Sequence, residues 1–509
     1  MEQKYQVTQN IFYNFLGQFF LLAIGIVSAP FIIHRLGNDL YGIYSILTVV
    51  IGYFSILDLG LGAAIIKYIS EYSAQNDRKS LEKIIGNALS AYILIGIVGG
   101  GLIILLTKMI VLQFLHIPSE FIPLAISAFY LSGLGFFVTM VLTVFNAIPN
   151  GLQRMDISNS RNVLFGVLNT LGVIGILLMG QSLISIVLWN ILTSIIATFV
   201  FIGIIFKLLP QISLKPQFDP NILRKLLNFG GFKFLSNISG QIIFQLDRFL
   251  IGIFNPIGLV TFYVSPLLLV QKGFSAMLNI TNAVFPAVSF YQGQGDLERV
   301  KEIYLRMNRL ILFLMLPIFS LLIIFSEQII SLWLGAEFVN QSVPVLRILA
   351  LAYIFSALSA APVIISDGLG KPQISAYFGI MGAVINLVLA LILIPQFGIK
   401  GAALAMLINS ALMVPIMILV VNNSVIKINH LVVLKESMLK VFLATAISLI
   451  ISLIFSHLEK NNLLSLFYGI AAFGIIYLGS NLLLKTFNQK DILALKYLLG
   501  RFKLVFSKV

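Results

Sequence analysis

Two cationic side chains interrupt apolar stretches of the chain and suit the capture of a phosphate-type anion. Arg248 and Lys272 each lie within a run of residues that is otherwise hydrophobic enough to cross a membrane. A charged side chain at the bilayer centre costs about 3 kcal/mol or more, so it is kept there for a function or for a partner inside the protein. One interpretation is binding of a pyrophosphate, because a guanidinium can bind two oxygens at once in a low dielectric. The alternative is an internal ion pair with Asp58 or Asp247 that only holds helices together.

Asp58 and Asp247 are the acidic candidates in the same stretches. One interpretation makes Asp58 a proton or sodium coupling site, because a partly dry cavity lets a carboxylate load and release a proton. Two other interpretations are a counter-ion to Lys272 and a structural cap near Gly60 and Gly62. Asp247 has similar alternatives. On a helix its side chain diverges by about 100° from that of Arg248, the next residue, so these two side chains do not pair readily.

Amide side chains extend these charges into polar stripes along single helix faces. The polar residues of the seventh apolar stretch fall within roughly 80° of arc at about 100° per residue. The amides can donate to sugar hydroxyls, or they can join helices by hydrogen bonds, as membrane bundles routinely do. The amide candidates for substrate binding are Asn14, Gln18, Asn237, Gln241, Gln245 and Asn279.

The composition defines the elements that must position these residues. Of the 509 residues, 59% are hydrophobic and only 10% are charged, whereas soluble domains have about 25% charged residues. The mean hydropathy is +1.02. So few charges cannot cover a soluble surface of this size, which excludes a disordered chain and argues strongly against a soluble enzyme. The fold class predicted is an all-α membrane protein.

Cysteine is absent and the four histidines are scattered. Disulfides and thiolate chemistry are therefore excluded, and a histidine metal cluster is disfavoured. We expect no metal site and no cofactor. The net charge of +14 would suggest nucleic acid as the partner of a soluble protein. Here the basic residues lie in short connections between apolar stretches, so no nucleic-acid partner is predicted.

The apolar stretches predict about 14 transmembrane helices, each long enough to cross the hydrocarbon core. With the N-terminus in the cytoplasm, 26 of the 33 Lys and Arg residues fall in cytoplasmic segments and five in outer ones. This bias indicates that both termini are cytoplasmic. The longest connections, near 72–83 and 209–227, are also cytoplasmic. The predicted spans are 10–33, 40–70, 84–107, 121–147, 160–180, 183–208, 229–254, 258–290, 310–332, 346–366, 374–394, 401–425, 433–456 and 463–484.

Three sequence matches in chain order relate the two halves of the chain. They pair 14–18 with 237–241, 69–84 with 288–303, and 151–169 with 368–386. These matches predict two six-helix lobes related by pseudo-twofold symmetry. A repeat unit with an even number of helices inserts into the membrane in the same orientation both times. The predicted domains are an N-terminal lobe (1–209), a cytoplasmic linker (210–228), a C-terminal lobe (229–427), two C-terminal helices (428–486) and a basic cytoplasmic tail (487–509).

The early motifs resemble those of a known family. Asn14, Pro30, Arg35-Leu36-Gly37 and Tyr41-Gly42 are followed by Asp58-Leu59-Gly60-Leu61-Gly62 and Lys67-Tyr68-Ile69-Ser70-Glu71-Tyr72. This series resembles polysaccharide transporters of the multidrug/oligosaccharidyl-lipid/polysaccharide exporter (MOP) superfamily, which include O-antigen and capsule repeat-unit flippases. The resemblance spans the chain and is strongest over 10–83. It implies a bacterial cytoplasmic membrane and a polyprenyl-pyrophosphate-linked oligosaccharide as cargo, with membrane lipids and polysaccharide polymerase machinery as further partners.

The function expected is a flippase working by alternating access, and not an enzyme. The first alternative is an ion-coupled multidrug or small-molecule antiporter of the same superfamily, which would favour cavity carboxylates and usually has 12 helices. The second is a membrane polysaccharide polymerase or ligase, which would call for a large outer loop, whereas every outer connection here is short. A scaffold without transport activity would not need buried polar stripes.

Overall fold

The structure is a computed structural model that describes residues 2–487 except 211, 283 and 458–461. Side chains are described in this range except at 2–16, 18–19, 155, 229–244, 276, 278–282, 286 and 455–463. Within the described residues the regular elements are helical, apart from one isolated bridge between His116 and Pro256. The predicted all-α class is confirmed.

The first part of the chain forms long helices joined by short turns. Aspartate caps begin two of them: the side chains of Asp77 and Asp219 each accept a hydrogen bond from a backbone N–H of the first helical turn. The helices are α1 (Glu2–Leu36), α2 (Asn38–Phe54), α3 (Leu61–Ala74), α4 (Arg78–Met109), α5 (Ile122–Gly151), α6 (Met155–Leu178), α7 (Leu183–Leu208), α8 (Pro220–Phe254) and α9 (Gly258–Asn282).

The second part repeats this pattern with more interruptions. Short helices follow or precede the long ones where the first part has turns or single 3-10 segments. The helices are α10 (Phe285–Gly293), α11 (Leu297–Ile324), α12 (Ser326–Leu334), α13 (Val339–Leu358), α14 (Ala360–Gly368), α15 (Pro372–Phe397), α16 (Ile399–Val421), α17 (His430–Val433), α18 (Leu439–His457) and α19 (Asn462–Leu483).

Most predicted spans coincide with one long helix, and the others are divided between consecutive helices. Among the described residues, 11 helices are long and apolar enough to cross a membrane, and Phe20–Leu36 forms a shorter apolar helix. The predicted total of fourteen includes stretches of α1, α8 and α9 that lie outside the described side chains, so that total stays a prediction. The fold is therefore that of a polytopic helical membrane protein.

Several predicted segments differ from the structure. The span at 310–332 is divided at Phe325, between α11 and α12, and the span at 346–366 is divided at Ser359, between α13 and α14. The span at 40–70 is broken into α2, a 3-10 turn over Ser55–Asp58 and α3, because Leu59 and Gly60 adopt positive φ of 50° and 74°. The cytoplasmic connection expected at 72–83 is mostly helical and is interrupted only at 75–77, where the Asp77 cap starts α4 at once.

The helices form two compact units, residues Met1–Val264 and Ser265–Val509. In the first unit α8 packs against α2, α3 and α4. The extended segment before α8 is also fixed to α4, since Gln217 N–H donates to the Gly86 carbonyl over 3.0 Å. Contacts therefore group α8 with the first unit, whereas the sequence repeat groups it with the second lobe. The repeat-based boundaries remain a prediction.

The aligned turns of the two halves have the same local geometry. Asp77 N–H donates to Tyr72 O and Asp296 N–H donates to Tyr291 O, each over 3.0 Å. Both aspartates then cap the next helix with φ of −85°. Identical short-range bonds at matched positions support the duplication read from the sequence.

A second pair of turns agrees equally well. Gln153 and Gly370 have positive φ of 60° and 74°. In each turn the following backbone N–H donates to the carbonyl five residues earlier, over 2.9 Å. These turns place α6 and α15 at the same point of their repeats.

Candidate functional site

The described part of the polar stripe on α8 lies within the packed first unit. Gln245 reaches Gly52 of α2, where a Cβ would collide with the amide oxygen of Gln245, so this glycine allows the helices to approach closely. Gln245 and Arg248 are half-buried and Asp247 is 3% exposed. Three polar residues of one helix are thus buried or half-buried within the first unit.

Arg248 lies near the tyrosines of α2. Its guanidinium is close enough to Tyr41 and Tyr53 to act on their hydroxyls electrostatically. The Tyr53 hydroxyl is buried and has no hydrogen-bond partner among the described residues. Tyr41 packs beside Tyr44, with ring centroids 6.3 Å apart. One guanidinium next to tyrosine hydroxyls can bind the oxygens of a phosphate or a sugar.

Asp247 is bonded mainly to a tyrosine. Its carboxylate accepts a hydrogen bond from the Tyr263 hydroxyl at the start of α9, and the charge of Arg248 also attracts it. Its Oδ1 has no hydrogen-bond partner within the described part of the chain. The geometry joins α8 to the first turns of α9, and an ion-coupling role for Asp247 remains a prediction.

Asp58 has the surroundings of a structural cap. Its carboxylate accepts a hydrogen bond from the Tyr92 hydroxyl of α4. The backbone N–H groups of Gly60 and Gly62, at the start of α3, lie within hydrogen-bonding reach. Of the three interpretations for Asp58, this geometry favours the cap, while proton coupling and the pairing with Lys272 stay predictions.

Lys272 lies on α9 in the second unit and is half-buried. Its neighbour Gly273 faces Ile318 of α11, and the ring of Phe274 packs edge-on against Tyr353 with centroids 5.2 Å apart. No hydrogen bond or ion pair joins Lys272 to another of the residues that the structure describes. The anion-binding role of Lys272 therefore stays a prediction.

The remaining amide candidates fall outside the described side chains, and so does the predicted basic tail from 488 onward. Where side chains are described, no group of His, Cys, Asp and Glu is arranged to hold a metal ion. The undescribed candidates are Asn14, Gln18, Asn237, Gln241 and Asn279.

A further polar feature was not singled out from the sequence. α6 begins at Met155 and places Arg161 within an apolar helix that is long enough to span a membrane. It lines a cleft of about 380 Å³ between α6 and α7. The signal in the sequence was the spacing of polar residues in the sixth span, which puts Asn190, Thr193 and Ser194 on one helix face.

Comparison with known proteins agrees with this architecture. The model of the family described as polysaccharide biosynthesis protein matches residues 7–292, and the MatE family model matches residues 234–392. The chain is similar to a putative O-antigen transporter of Shigella flexneri, with 24% identity over 411 residues that cover 78% of this chain and 94% of the relative.

Solved structures show the same fold. A structure of the lipid II flippase MurJ in an inward closed conformation matches with a TM-score of 0.74 and 14% identity, covering 92% of this chain and 98% of the other. An inward-facing multidrug resistance MATE family transporter of the MOP superfamily matches with a TM-score of 0.68 and 17% identity, covering 78% and 92%. The chain has the fold of these MOP-superfamily transporters, and it belongs to the polysaccharide biosynthesis protein family.

Proposed function

We propose that the protein is a flippase that moves polyprenyl-pyrophosphate-linked oligosaccharide repeat units from the cytoplasmic to the outer leaflet by alternating access. The exported units serve surface polysaccharide biosynthesis. The distribution of basic residues favours a bacterial cytoplasmic membrane protein with both termini inside. The names of related proteins, an O-antigen transporter and a lipid II flippase, support the same class of cargo.

The observation that carries this proposal is that Arg248 is half-buried and lies within electrostatic range of the hydroxyls of Tyr41 and Tyr53. A pyrophosphate and several sugars cannot cross hydrocarbon unaided, because each unpaired polar group costs several kcal/mol, about 2–7 for a neutral one. A guanidinium and hydroxyls inside the bundle replace the lost water. The polyprenyl tail needs no such groups, since it is as apolar as the lipid around the protein.

The lipid-linked oligosaccharide would bind first from the cytoplasmic side, where its sugars are assembled. Arg248 and Lys272 would then hold the pyrophosphate, and the amide stripes would donate to sugar hydroxyls. Rocking of the two lobes would exchange access between the sides of the membrane. Contact with polysaccharide polymerase machinery on the outer side would follow release.

An ion-coupled antiporter has the same fold but would depend on a cavity carboxylate. Both described candidates are engaged by tyrosine hydroxyls: Asp58 by Tyr92, and Asp247 by Tyr263. The half-buried cation on α8 suits an anionic cargo better than a cationic drug. The flippase is therefore the preferred function.

The test is lipid-linked oligosaccharide accumulation in a strain that lacks the chromosomal gene and expresses variants. We expect Arg248→Ala and Lys272→Ala each to reduce polymer export at least about tenfold. Each variant loses one charge-assisted hydrogen bond, which is worth roughly 1.4 kcal/mol or more, and that energy corresponds to a factor of ten. Lipid-linked units should accumulate in the cytoplasmic leaflet while the protein level in the membrane is unchanged.

The matched control is Arg224→Ala, because Arg224 is an exposed arginine on the same helix. It should export polymer normally. Normal export by both the Arg248 and the Lys272 variants would contradict the site, and a gene deletion without accumulation of lipid-linked units would contradict the function.

A further inference from the structure

The cleft between α6 and α7 is a polar site within the first unit. The two helices meet where Gly172 packs directly under the indole of Trp189, whose Nε1 donates to the Asn169 carbonyl over 3.3 Å. Between this contact and Arg161 they leave a cleft of about 380 Å³. That volume is within the usual range for small-molecule sites, about 300–1,000 Å³.

Arg161 is held in place by aromatic rings. Its guanidinium carbon lies 5.3 Å from the centroid of Phe165 and 4.8 Å from that of Phe201. Phe201 is fully buried, so the ring that fixes the guanidinium cannot move freely. Nη1 donates to Asn162 over 3.0 Å. A planar guanidinium fixed in this way is organised in advance for a bidentate acceptor.

Part of the hydrogen-bonding capacity of the cleft is unused. Nε of Arg161 and Oδ1 of Asn190 are buried and have no hydrogen-bond partner among the described residues. Buried polar atoms are normally hydrogen-bonded in proteins, and these two atoms can bond to a ligand that enters the cleft. Both residues line the cleft. One can donate to an anion and the other can accept from a hydroxyl.

The other lining groups are neutral and hydrogen-bonding. Asn169, Thr193 and Ser194 line the same cleft, and no lining residue is acidic. A smaller cavity of about 100 Å³ continues from it, shares the wall of Tyr44 and Asn190, and adds further hydroxyl groups. A single fixed cation surrounded by amides and hydroxyls matches a ligand with one negative charge and several hydroxyls.

We propose that this cleft is a binding subsite for a carboxylate-bearing sugar, such as a hexuronate, in the transported oligosaccharide. Arg161 binds the carboxylate, and Asn169, Asn190 and Ser194 bind the hydroxyls. This assignment rests on the proposed function, because the sugar arrives as part of the lipid-linked cargo. A pyrophosphate is a poorer match, since the single cation of the cleft balances only part of its charge.

The position of Arg161 suits a loading site. It lies six residues after the start of α6 at Met155, a rise of about 9 Å along the helix. The charge distribution places that end of α6 at the cytoplasmic side. A carboxylate-bearing sugar would therefore meet Arg161 soon after entry from the compartment in which the cargo is made.

The first experiment measures sugar binding to the full-length protein in phosphatidylcholine nanodiscs. Equilibrium dialysis compares labelled D-glucuronate with D-glucose and inorganic phosphate. We expect glucuronate to bind at least about tenfold more tightly than glucose. R161Q should abolish that preference, and R161K should retain only part of it, because lysine keeps the charge but not the planar fork.

The matched control is R154Q, which removes an exposed arginine of the same region that pairs only at the surface with Asp156, over 2.9 Å. R154Q should keep the preference for glucuronate. Three results would overturn the subsite: an unchanged preference in R161Q, phosphate competing as well as glucuronate, or displacement of glucuronate by added phosphatidylglycerol. The last result would identify a lipid headgroup site.

A transport experiment separates the subsite from the proposed function. Proteoliposomes are loaded with lipid-linked oligosaccharides that differ only in a uronate or a neutral hexose. R161Q should lower the acidic-to-neutral rate ratio about tenfold. If wild type moves neither cargo while Arg161-dependent binding persists, the flippase is overturned and the sugar site is supported. If both cargos move and the ratio is unchanged in R161Q, the subsite is overturned and the flippase is supported.

Discussion

The helix pair α6/α7 and its repeat counterpart α15/α16 begin at equivalent turns but differ in packing. α15 and α16 pack closely, and the chain turns so tightly between them that Gly401 lies directly on the Leu393 carbonyl. α6 and α7 enclose the cleft lined by Arg161. The comparison shows that two helix pairs with equivalent turns can pack differently, and only α6/α7 leaves a cleft lined by an arginine among the described residues.

The aligned residues show how the two pairs diverged. In the ungapped match from 151 onward, Arg161 corresponds to Phe378 and Asn169 to Asn386. Asn386 is 2% exposed, whereas Asn169 is half-exposed in the cleft. Both positions therefore hold an amide. Among the described residues, Asn169 lies in a cleft with an arginine, whereas Asn386 is buried.

The largest loss of stability is expected where an added methyl group would collide with backbone atoms, which cannot move aside. Gly401→Ala would place a methyl group against the backbone of Leu393 and Ile394, so we expect a loss of about 3 kcal/mol in the free energy of unfolding. Gly172→Ala would collide with the Trp189 side chain, which can shift more easily than backbone, and we expect a loss of about 1–2 kcal/mol in the free energy of unfolding. Thermal unfolding of the purified protein in detergent measures both.

The control for these substitutions is Gly175→Ala on α6. Nothing lies within 4 Å of its Cβ position, and alanine gains up to about 1 kcal/mol in helix propensity. It should be neutral or stabilising. A smaller loss for Gly401→Ala than for Gly172→Ala would show that α15/α16 is the looser pair and would reverse the comparison.

The second prediction tests the shared amide. Asn386→Leu removes a buried Oδ1 that has no partner among the described residues, so the free energy of unfolding should change by less than about 1 kcal/mol. Asn169→Leu removes a cleft amide, and glucuronate binding should fall about fivefold. Equal loss of glucuronate binding in the two variants would contradict a cleft confined to α6/α7.

The smallest effect concerns the matched helix caps. Asp77 accepts bonds from both the N–H and the hydroxyl of Ser80, over 3.1 and 2.6 Å. Asp296 accepts from the N–H of Arg299, over 3.1 Å. D77A should therefore lower the unfolding temperature slightly more than D296A, because it loses one more bond.

The Asp77 cap also predicts a pH dependence. The Ser80 hydroxyl and backbone N–H lower the pKa of Asp77 from its ordinary value of 3.8. A carboxyl with a lowered pKa stabilises the fold above that ordinary value and loses this contribution as pH falls through the native one. The difference between wild type and D77A should therefore shrink on acidification below about pH 4. A difference that grows on acidification would contradict the cap.

The sequence was sufficient for the all-α class and for most of the long helices, while the two-lobe organisation stays a prediction. Long apolar stretches and basic connections follow from the lipid solvent, and a membrane helix satisfies its own backbone, so its position can be read locally. The turns at Asp77 and Asp296 were likewise matched from residue types alone. The break at Leu59 and Gly60 was missed, because a short reversal of φ has little effect on hydropathy.

The sequence by itself determined that this is a polytopic helical membrane protein, and it singled out Arg248 as a cation in an apolar stretch. Tertiary structure alone decided which polar residues meet: that Asp58 bonds to Tyr92, that Asp247 bonds to Tyr263, and that Arg161 faces a cleft. The physical reason is that hydrophobicity and helix periodicity are properties of one segment. A hydrogen bond or a cleft depends on the separation of two segments, which packing at residues such as Gly172 and Trp189 sets.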